Sequence, residues 1–304
     1  MANYIQVKPS QIHLFQSVPF YYEAREQNFS LYKKEGDRLQ WDRAQSTKHP
    51  VLYIDSQDRD AAMKELGKRL NMDLIRSIGK GGLMGVKKAL CRIVEEALTP
   101  DQEAMMNCLP QTLDILLNQY GKAHGAMEYL VNLAASSKLL VDHTVNVAAL
   151  TLQYCLFHKM PDTDTLRLGL AALVHDVGFA RLDTALVETR DRLTEKEYEI
   201  YQSHTFMGKD MLEDNENFGL SIAHVALEHH ERLDGSGYPD GRSDIAVDSQ
   251  LIGLIDSYES LTYRDKNFRK AQKPFSSLSL IKEDVIAGRY DKELFKRFTS
   301  CLVK

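Results

Sequence analysis

Paired cysteine is the first thing this chain lacks. Its four cysteines, Cys91, Cys108, Cys155 and Cys301, never fall into a C-x-x-C pair. That spacing argues against a zinc ribbon or a disulfide framework and leaves reduced, mostly buried small hydrophobes. No run of about 18 apolar residues occurs, so hydropathy supplies no membrane-crossing helix. The opening MANYIQVKPSQ lacks the basic-then-apolar order of an export signal, and the chain is expected to be cytoplasmic. Charge of one sign is not in excess either: Lys+Arg number 38 and Asp+Glu 43, for a formal net charge of -5. Long nucleic acids are therefore not expected as partners, whereas a small anionic ligand needs only a local cluster of cations. No fixed-period repeat and no low-complexity segment interrupts the text. What is present is ordinary: 43% hydrophobic and 27% charged residues over 304 positions, enough to bury a full core in two domains or in one large domain with an appendage.

From Ile5 to about Asp55 the sequence is broken by Pro9, Pro19, Gly36 and Pro50 around short runs such as VPFYYEA and VLYID, the pattern of strands and turns. After Asp58 apolar residues recur every three or four positions, in DAAMKELGKRL, GVKKALCRIVEEAL, QTLDILLNQY and the long run from Ala126 to Phe157, which predicts amphipathic helices. The expected architecture is mainly α: a small N-terminal α/β module with a helical linker over residues 1–100, then an all-helical bundle over 101–304. The glycine-rich SIGKGGLMG, residues 77–85, lacks the G-x-x-x-x-G-K-[ST] spacing of a phosphate loop and no strand precedes it, so it reads as a hinge between the two parts.

The helical part carries a series of groups suited to metal ligation. His143 lies in VDHTVNVAAL, His175-Asp176 end the apolar run LGLAALVHD, His204 sits in YQSHTFMG, His229-His230 follow VALE, and Asp256 lies in LIGLIDSYESLT. A carboxylate delivered by an apolar helix is costly unless paired or bound to a cation. The dipeptide His-Asp alone is equally well a capped helix end with a hydrogen-bonded histidine. Two adjacent histidines lie about 100° apart on a helix, so both can face one ion only near its end. The break at Asp234, Gly235, Ser236, Gly237 and Pro239 supplies that end. His13, His49, His124, His158 and His224 fit no place in the series; His158 near a helix end is accounted for by the helix dipole.

The series H143, HD175–176, H204, HHE229–231, DGSGYP234–239 and D256 resembles the HD-GYP family, a branch of the HD-domain metal-dependent phosphohydrolases that acts on cyclic di-GMP. The resemblance covers about residues 125 to 300. It implies an HD-type helical bundle with two divalent transition metals, iron first and manganese or zinc as alternatives. His143, His175, Asp176 and Asp256 would hold one ion and His204, His229 and His230 the other, with Asp176 bridging. It also implies hydrolysis of cyclic di-GMP to pGpG by a hydroxide held between ions about 3.5–4 Å apart, with His175 and Asp176 central to the chemistry. Leu139 stands where some relatives place a Glu for a third metal, which favours a binuclear site. A catalytically impaired receptor or interaction protein, or a phosphohydrolase acting on another nucleotide, are the alternative readings.

Two departures bear on the ligand contacts. Where the family reads HD-x-G-K, this chain has Phe179, which cannot donate to a phosphate; Arg181 is the nearest substitute, or else a solvated arginine. After Asp256 the chain reads DSYESLTYRDKNFRKA, with Glu259 in place of the second acid and Phe268 in place of a tyrosine, leaving Lys266 and Arg269 as candidate phosphate contacts or a solvated basic turn. Gly235 and Gly237 are expected to take positive φ and expose backbone N–H groups. Tyr238 either stacks on a base or faces outward, as in relatives that meet diguanylate cyclase domains. A homodimer is left open.

Overall fold

A computed structural model describes residues 3–37, 39, 50–99, 103–119, 126–131, 133, 135–136 and 138–302. His49 and His124 fall outside these residues. The N-terminal part is a four-stranded antiparallel sheet of β1 (Tyr4–Gln6), β2 (Phe20–Arg25), β3 (Asn28–Lys33) and β4 (Leu52–Asp55), in the order β1-β4-β2-β3. Tyr21 pairs with Tyr53 and Tyr4 with Asp55. Aromatic side chains knit one face, Tyr4 stacking on Phe29 at 4.0 Å, while Phe20, Leu52 and Ile54 are buried from the other strand positions. This alternation is what VPFYYEA and VLYID require of a half-buried strand.

The helices follow in chain order: α1 (Arg59–Lys80), α2 (Gly82–Ala97), α3 (Glu103–Met106), α4 (Leu109–Gln119), α5 (Ala126–Val131), α6 (Leu139–Phe157) and α7 (Asp162–Val174). Then come α8 (Thr184–Val187), α9 (Glu195–Gln202), α10 (His204–Glu213), α11 (Gly219–Glu228), α12 (Val247–Tyr263), α13 (Pro274–Ile286) and α14 (Lys292–Leu302). The mainly helical architecture behind a small sheet is the one the sequence predicts. SIGKGGLMG, however, is the turn of a helical hairpin: α1 ends at Gly81, Gly82 has φ +59°, and α2 runs back along α1. Glu96 of α2 is buried and accepts hydrogen bonds from Lys8 and Gln11, both at 2.8 Å, tying the chain start to this hairpin.

Among the described residues, the run from Ala126 to Phe157 contains the two helices α5 and α6. Asp142 accepts the backbone N–H groups of Ala135 (3.2 Å) and Ser136 (3.1 Å), and Glu188 accepts those of Leu139 (2.7 Å) and Leu140 (3.3 Å). Carboxylates at a helix start satisfy its orphan donors and meet the positive end of its dipole. α6 so anchored is buried on nearly every face, and α2, α5, α7 and α12 pack around it. Buried apolar side chains from Val7 to Cys301 form one continuous cluster. Burial pushes the Cys91, Cys155 and Cys301 thiols up to about 12, so they are inert packing groups. Among the described residues no helix is long and apolar enough to cross a membrane.

Candidate metal centre

Five elements deliver the seven groups. His143 comes from the second turn of α6, His175 is the residue that ends α7, and Asp176 precedes the short 3-10 turn Val177–Arg181. His204 opens α10, His229 ends α11 with His230 next in line, and Asp256 lies in the middle of α12. Helix ends thus present most of the imidazoles, as the adjacent pair demanded. Two glycines permit the elements to approach. A Cβ on Gly178 would sit 1.9 Å from the carbonyl oxygen of His204, and one on Gly253 would sit 2.1 Å from that of His229.

The side chains converge on Asp176. Its Oδ1 lies 3.4 Å from His204 Nε2 and 3.5 Å from His229 Nε2, and its Oδ2 lies 3.3 Å from His175 Nε2 and 3.5 Å from His143 Nε2. Asp256 faces His143 Nε2 at 3.1 Å and His230 Nδ1 at 3.7 Å. Ligand atoms of Asp176, His204, His229 and His230 all lie within 4.8 Å of one another, as do those of His143, His175 and Asp176. The rings are oriented from behind. The Nδ1 atoms of His175, His204 and His229 contact backbone carbonyls three residues back, at Ala172 (2.8 Å), Tyr201 (2.7 Å) and Ala226 (3.0 Å). His143 Nδ1 is instead hydrogen-bonded to the Glu259 carboxylate. Such partners fix the tautomer and turn the Nε2 lone pair towards the centre.

This donor set fits a metal. His175 Nε2, His204 Nε2, His229 Nε2 and Asp176 Oδ1 are all buried without a hydrogen bond, and they face one another. Several unsatisfied polar atoms in one dry spot are costly, and a cation shared among them removes the cost. Burial pushes the His230 ring well below its usual pKa, with His229 adding to it, and burial lowers His229 too. Burial also works against the charged form of His143, yet the Glu259 and Asp256 carboxylates outweigh it and set that ring at about 10. His175 is raised for the same reason by Asp176. Asp176 and Asp256 resist desolvation because of the imidazoles around them and stay well below the usual carboxylate range.

Residues 229–242 close over this centre. Glu231 is buried and accepts the backbone N–H groups of Asp240 (2.7 Å) and Arg242 (3.0 Å), clasping the loop. The third member of HHE therefore holds the loop beside the two candidate ligands. Gly235 has φ +75° as expected. Gly237 does not take positive φ; glycine is needed there because a Cβ would come within 2.5 Å of His230 O, Glu231 Cα and Arg232 N. Tyr238 does not face outward: its ring stacks on His230 at 4.5 Å and lines the cavity above the centre.

That cavity, of about 580 Å³, is walled by His143, Asp176, His230 and Asp256 below, by Tyr198, Tyr201 and Tyr238 at the side, and by Arg232, Arg264 and Arg289. Arg264 Nε is buried without a hydrogen bond, Arg232 stacks on Tyr290 at 4.7 Å, and Arg289 pairs with Asp284 at 2.7 Å. Sequence reasoning missed these three arginines, which are far apart in the chain. The basic residues it singled out lie elsewhere. Lys266 donates to Thr189 O (3.1 Å) in a neighbouring cavity that shares Tyr198 and Tyr201. Arg269 donates to the carbonyls of Ser260 (2.9 Å) and Leu261 (3.1 Å), and Arg181 pairs with Asp210 at 2.5 Å. Phe179 does not line the cavity either; it is buried, with its ring stacked on His204 at 3.9 Å.

The HD domain family model matches residues 128–294. The cyclic di-GMP phosphodiesterase PA4108 of Pseudomonas aeruginosa is 28% identical over 179 residues, 58% of this chain and 42% of that protein. The 3'3'-cGAMP-specific phosphodiesterase 1 of Vibrio cholerae is 33% identical over 131 residues, 42% of this chain and 30% of that one. The chain thus spans under half the length of these curated relatives. Among solved structures, Bd1817, an HDG"Y"P protein from Bdellovibrio bacteriovorus, superposes with a TM-score of 0.63 at 17% identity over 99% of both chains. That likeness concerns the fold.

Proposed function

This chain belongs to the HD domain family, in its HD-GYP branch, and from that premise we propose that it is a metal-dependent phosphodiesterase that hydrolyses cyclic di-GMP to pGpG. The observation that carries the reading is the carboxylate of Asp176, buried between four imidazole Nε2 atoms at 3.3–3.5 Å with a polar cavity directly above. His143, His175, Asp176 and Asp256 would hold one ion and His204, His229 and His230 the other, with Asp176 within reach of both. Mixed imidazole and carboxylate donors suit iron, our first choice, as well as manganese and zinc. A pair of such ions supplies Lewis-acid stabilisation of a phosphate and a nucleophile at neutral pH.

The protein's own part is binding and orientation. A cavity of about 580 Å³ is within the usual range for a small-molecule site, roughly 300–1,000 Å³. Arg264, with its unpaired Nε, is positioned to donate to a phosphate oxygen, and Arg232 adds positive charge to the same cavity, while the charge of Arg289 is offset by Asp284 and Asp234. Arg264 and Arg232 supply the cation that Phe179 does not, which favours an enzyme over a receptor without turnover. Tyr238, held on His230, offers a ring edge to a base. The names of the relatives include both cyclic di-GMP and 3'3'-cGAMP, so both dinucleotides belong in the test.

The test is to incubate metal-loaded protein with each dinucleotide and separate the products chromatographically. Linear dinucleotide from the wild type is expected, with Arg264→Gln raising KM about 10- to 100-fold at unchanged metal content, the loss of one charge-assisted hydrogen bond. Tight binding of either dinucleotide without any linear product would overturn the enzyme reading.

A further inference from the structure

His143 is the one imidazole of the centre whose back is held by a distant side chain, and the support continues outward from it. Glu259 accepts from His143 Nδ1 through Oε2 and from Asn146 Nδ2 through Oε1, the latter at 2.7 Å. Asn146 Oδ1 in turn accepts from Lys87 Nζ, which also donates to Leu130 O at 2.8 Å. Lys87 is fully buried, at 0% exposure, and belongs to α2, forty residues before the stretch the HD family model matches. Glu259, Asn146 and His143 are likewise buried.

A lysine in a dry core needs a reason, since burial works against its charge; the carboxylates of Asp142 and Glu259 work in its favour. The order of donors supplies one. An ammonium can only donate, so the amide facing it must turn its oxygen towards Lys87 and therefore its NH₂ towards Glu259. Glu259 then meets donors on both oxygens. That arrangement holds it as an acceptor-only carboxylate, puts the proton of His143 on Nδ1, and leaves Nε2 to face Asp176 and Asp256.

We propose that Lys87 is a positioning residue of the metal centre, acting through Asn146 and Glu259 to fix the orientation and tautomer of His143. The inference rests on the metal-centre reading above and extends it to the helical hairpin behind the sheet: a displacement of α2 is felt at a metal ligand through three consecutive hydrogen bonds. The N-terminal part thereby has a physical route to the site that does not pass through the cavity.

The experiment uses the full-length protein and cobalt(II) alone. Metal-free wild type, Lys87→Met, Asn146→Leu and the exposed control Lys88→Met are titrated with cobalt while visible absorption reports the ligand field, and circular dichroism reports the thermal midpoint. Lys87→Met and Asn146→Leu are expected to weaken cobalt uptake at one class of site about tenfold and to change its spectrum, the usual size of an outer-partner effect; Lys88→Met should match the wild type. Adding Lys87→Met to Glu259→Gln should cost little more than Glu259→Gln alone. A Lys87→Met protein with a lowered thermal midpoint but unaltered cobalt affinity and spectrum would overturn the proposal, and if that variant does not fold, the same outcome for Asn146→Leu decides. Wild type that takes up no cobalt would defeat the metal-centre reading itself, which separates the two failures.

Discussion

The two sides of the centre are held by opposite means. On the side of His175, His204 and His229, each ring is oriented by the backbone carbonyl three residues earlier, so a single turn of chain sets its direction. On the side of His143, the orienting group is Glu259, on another helix and 116 positions away, with Asn146 and Lys87 behind it. The first side is built from local geometry and is as secure as the helix ends that carry it. The second depends on α2, α6 and α12 staying in register. Tolerance to mutation should therefore differ sharply across a few ångströms.

Asp176→Ala should erase the contrast, because its two oxygens touch imidazoles of both sides. Metal content measured by elemental analysis is expected to collapse and turnover with it, beyond the ~100-fold that losing an outer partner costs. Full metal occupancy in that variant would mean that Asp176 is not shared. The local side offers no orienting side chain to remove, so it must be broken through the backbone. Gly253→Ala would drive a Cβ into His229 O and Gly178→Ala into His204 O. Overpacking of this kind costs roughly 1–3 kcal/mol or more, to be read from denaturant midpoints, with metal loss at the His204–His229 side. Stability equal to the wild type would show that these contacts relax freely.

A third prediction uses protons to sharpen the comparison. The Glu259 and Asp256 carboxylates raise His143 to about 10 despite its burial, so in the metal-free protein that ring carries a proton on both nitrogens at neutral pH, whereas burial lowers His229 and His230. A metal must displace the His143 Nε2 proton, so uptake should release it and tighten as pH rises from 6 towards 9, by up to about tenfold per unit. Calorimetry in buffers of different ionisation enthalpy measures the release, and affinity independent of pH would refute the assignment. The smallest effect is expected at Lys266, whose amine is turned towards Thr189 O. Lys266→Met should leave KM for the dinucleotide within about twofold, as for substitutions away from a site.

The same local-versus-distant division decides what could be read from the sequence. Residue type and spacing put His175-Asp176 and His229-His230 at helix ends, because such ends are made within a few residues; that His204 opens α10 was not legible. The helical bundle and the strand runs VPFYYEA and VLYID were legible for the same reason. Arg232, Arg264 and Arg289 were not, since nothing in three separated segments says that they share one wall. Glu259 was noticed only as a changed acid; its partner lies across the bundle. Lys87 gave no signal at all, because a lysine in an amphipathic helix reads as solvated until α5 and α6 cover it. Phe179 reads in the sequence only as a side chain that cannot donate to a phosphate; its packing on His204 depends on α9 and α10, which lie further along the chain.

One wall of the cavity is made differently from all the rest. α9, which carries Tyr198 and Tyr201, has no fully buried residue and meets the core through the half-buried Tyr201 ring against Phe179 and His204, whereas the floor is set by the buried His143, Asp176 and Asp256. Elements with few buried contacts open at the lowest free energy. Under heat or mild chaotrope the molecule should lose this wall before its floor, so the bottom of the basin persists as a bare dish of imidazoles in partly melted protein.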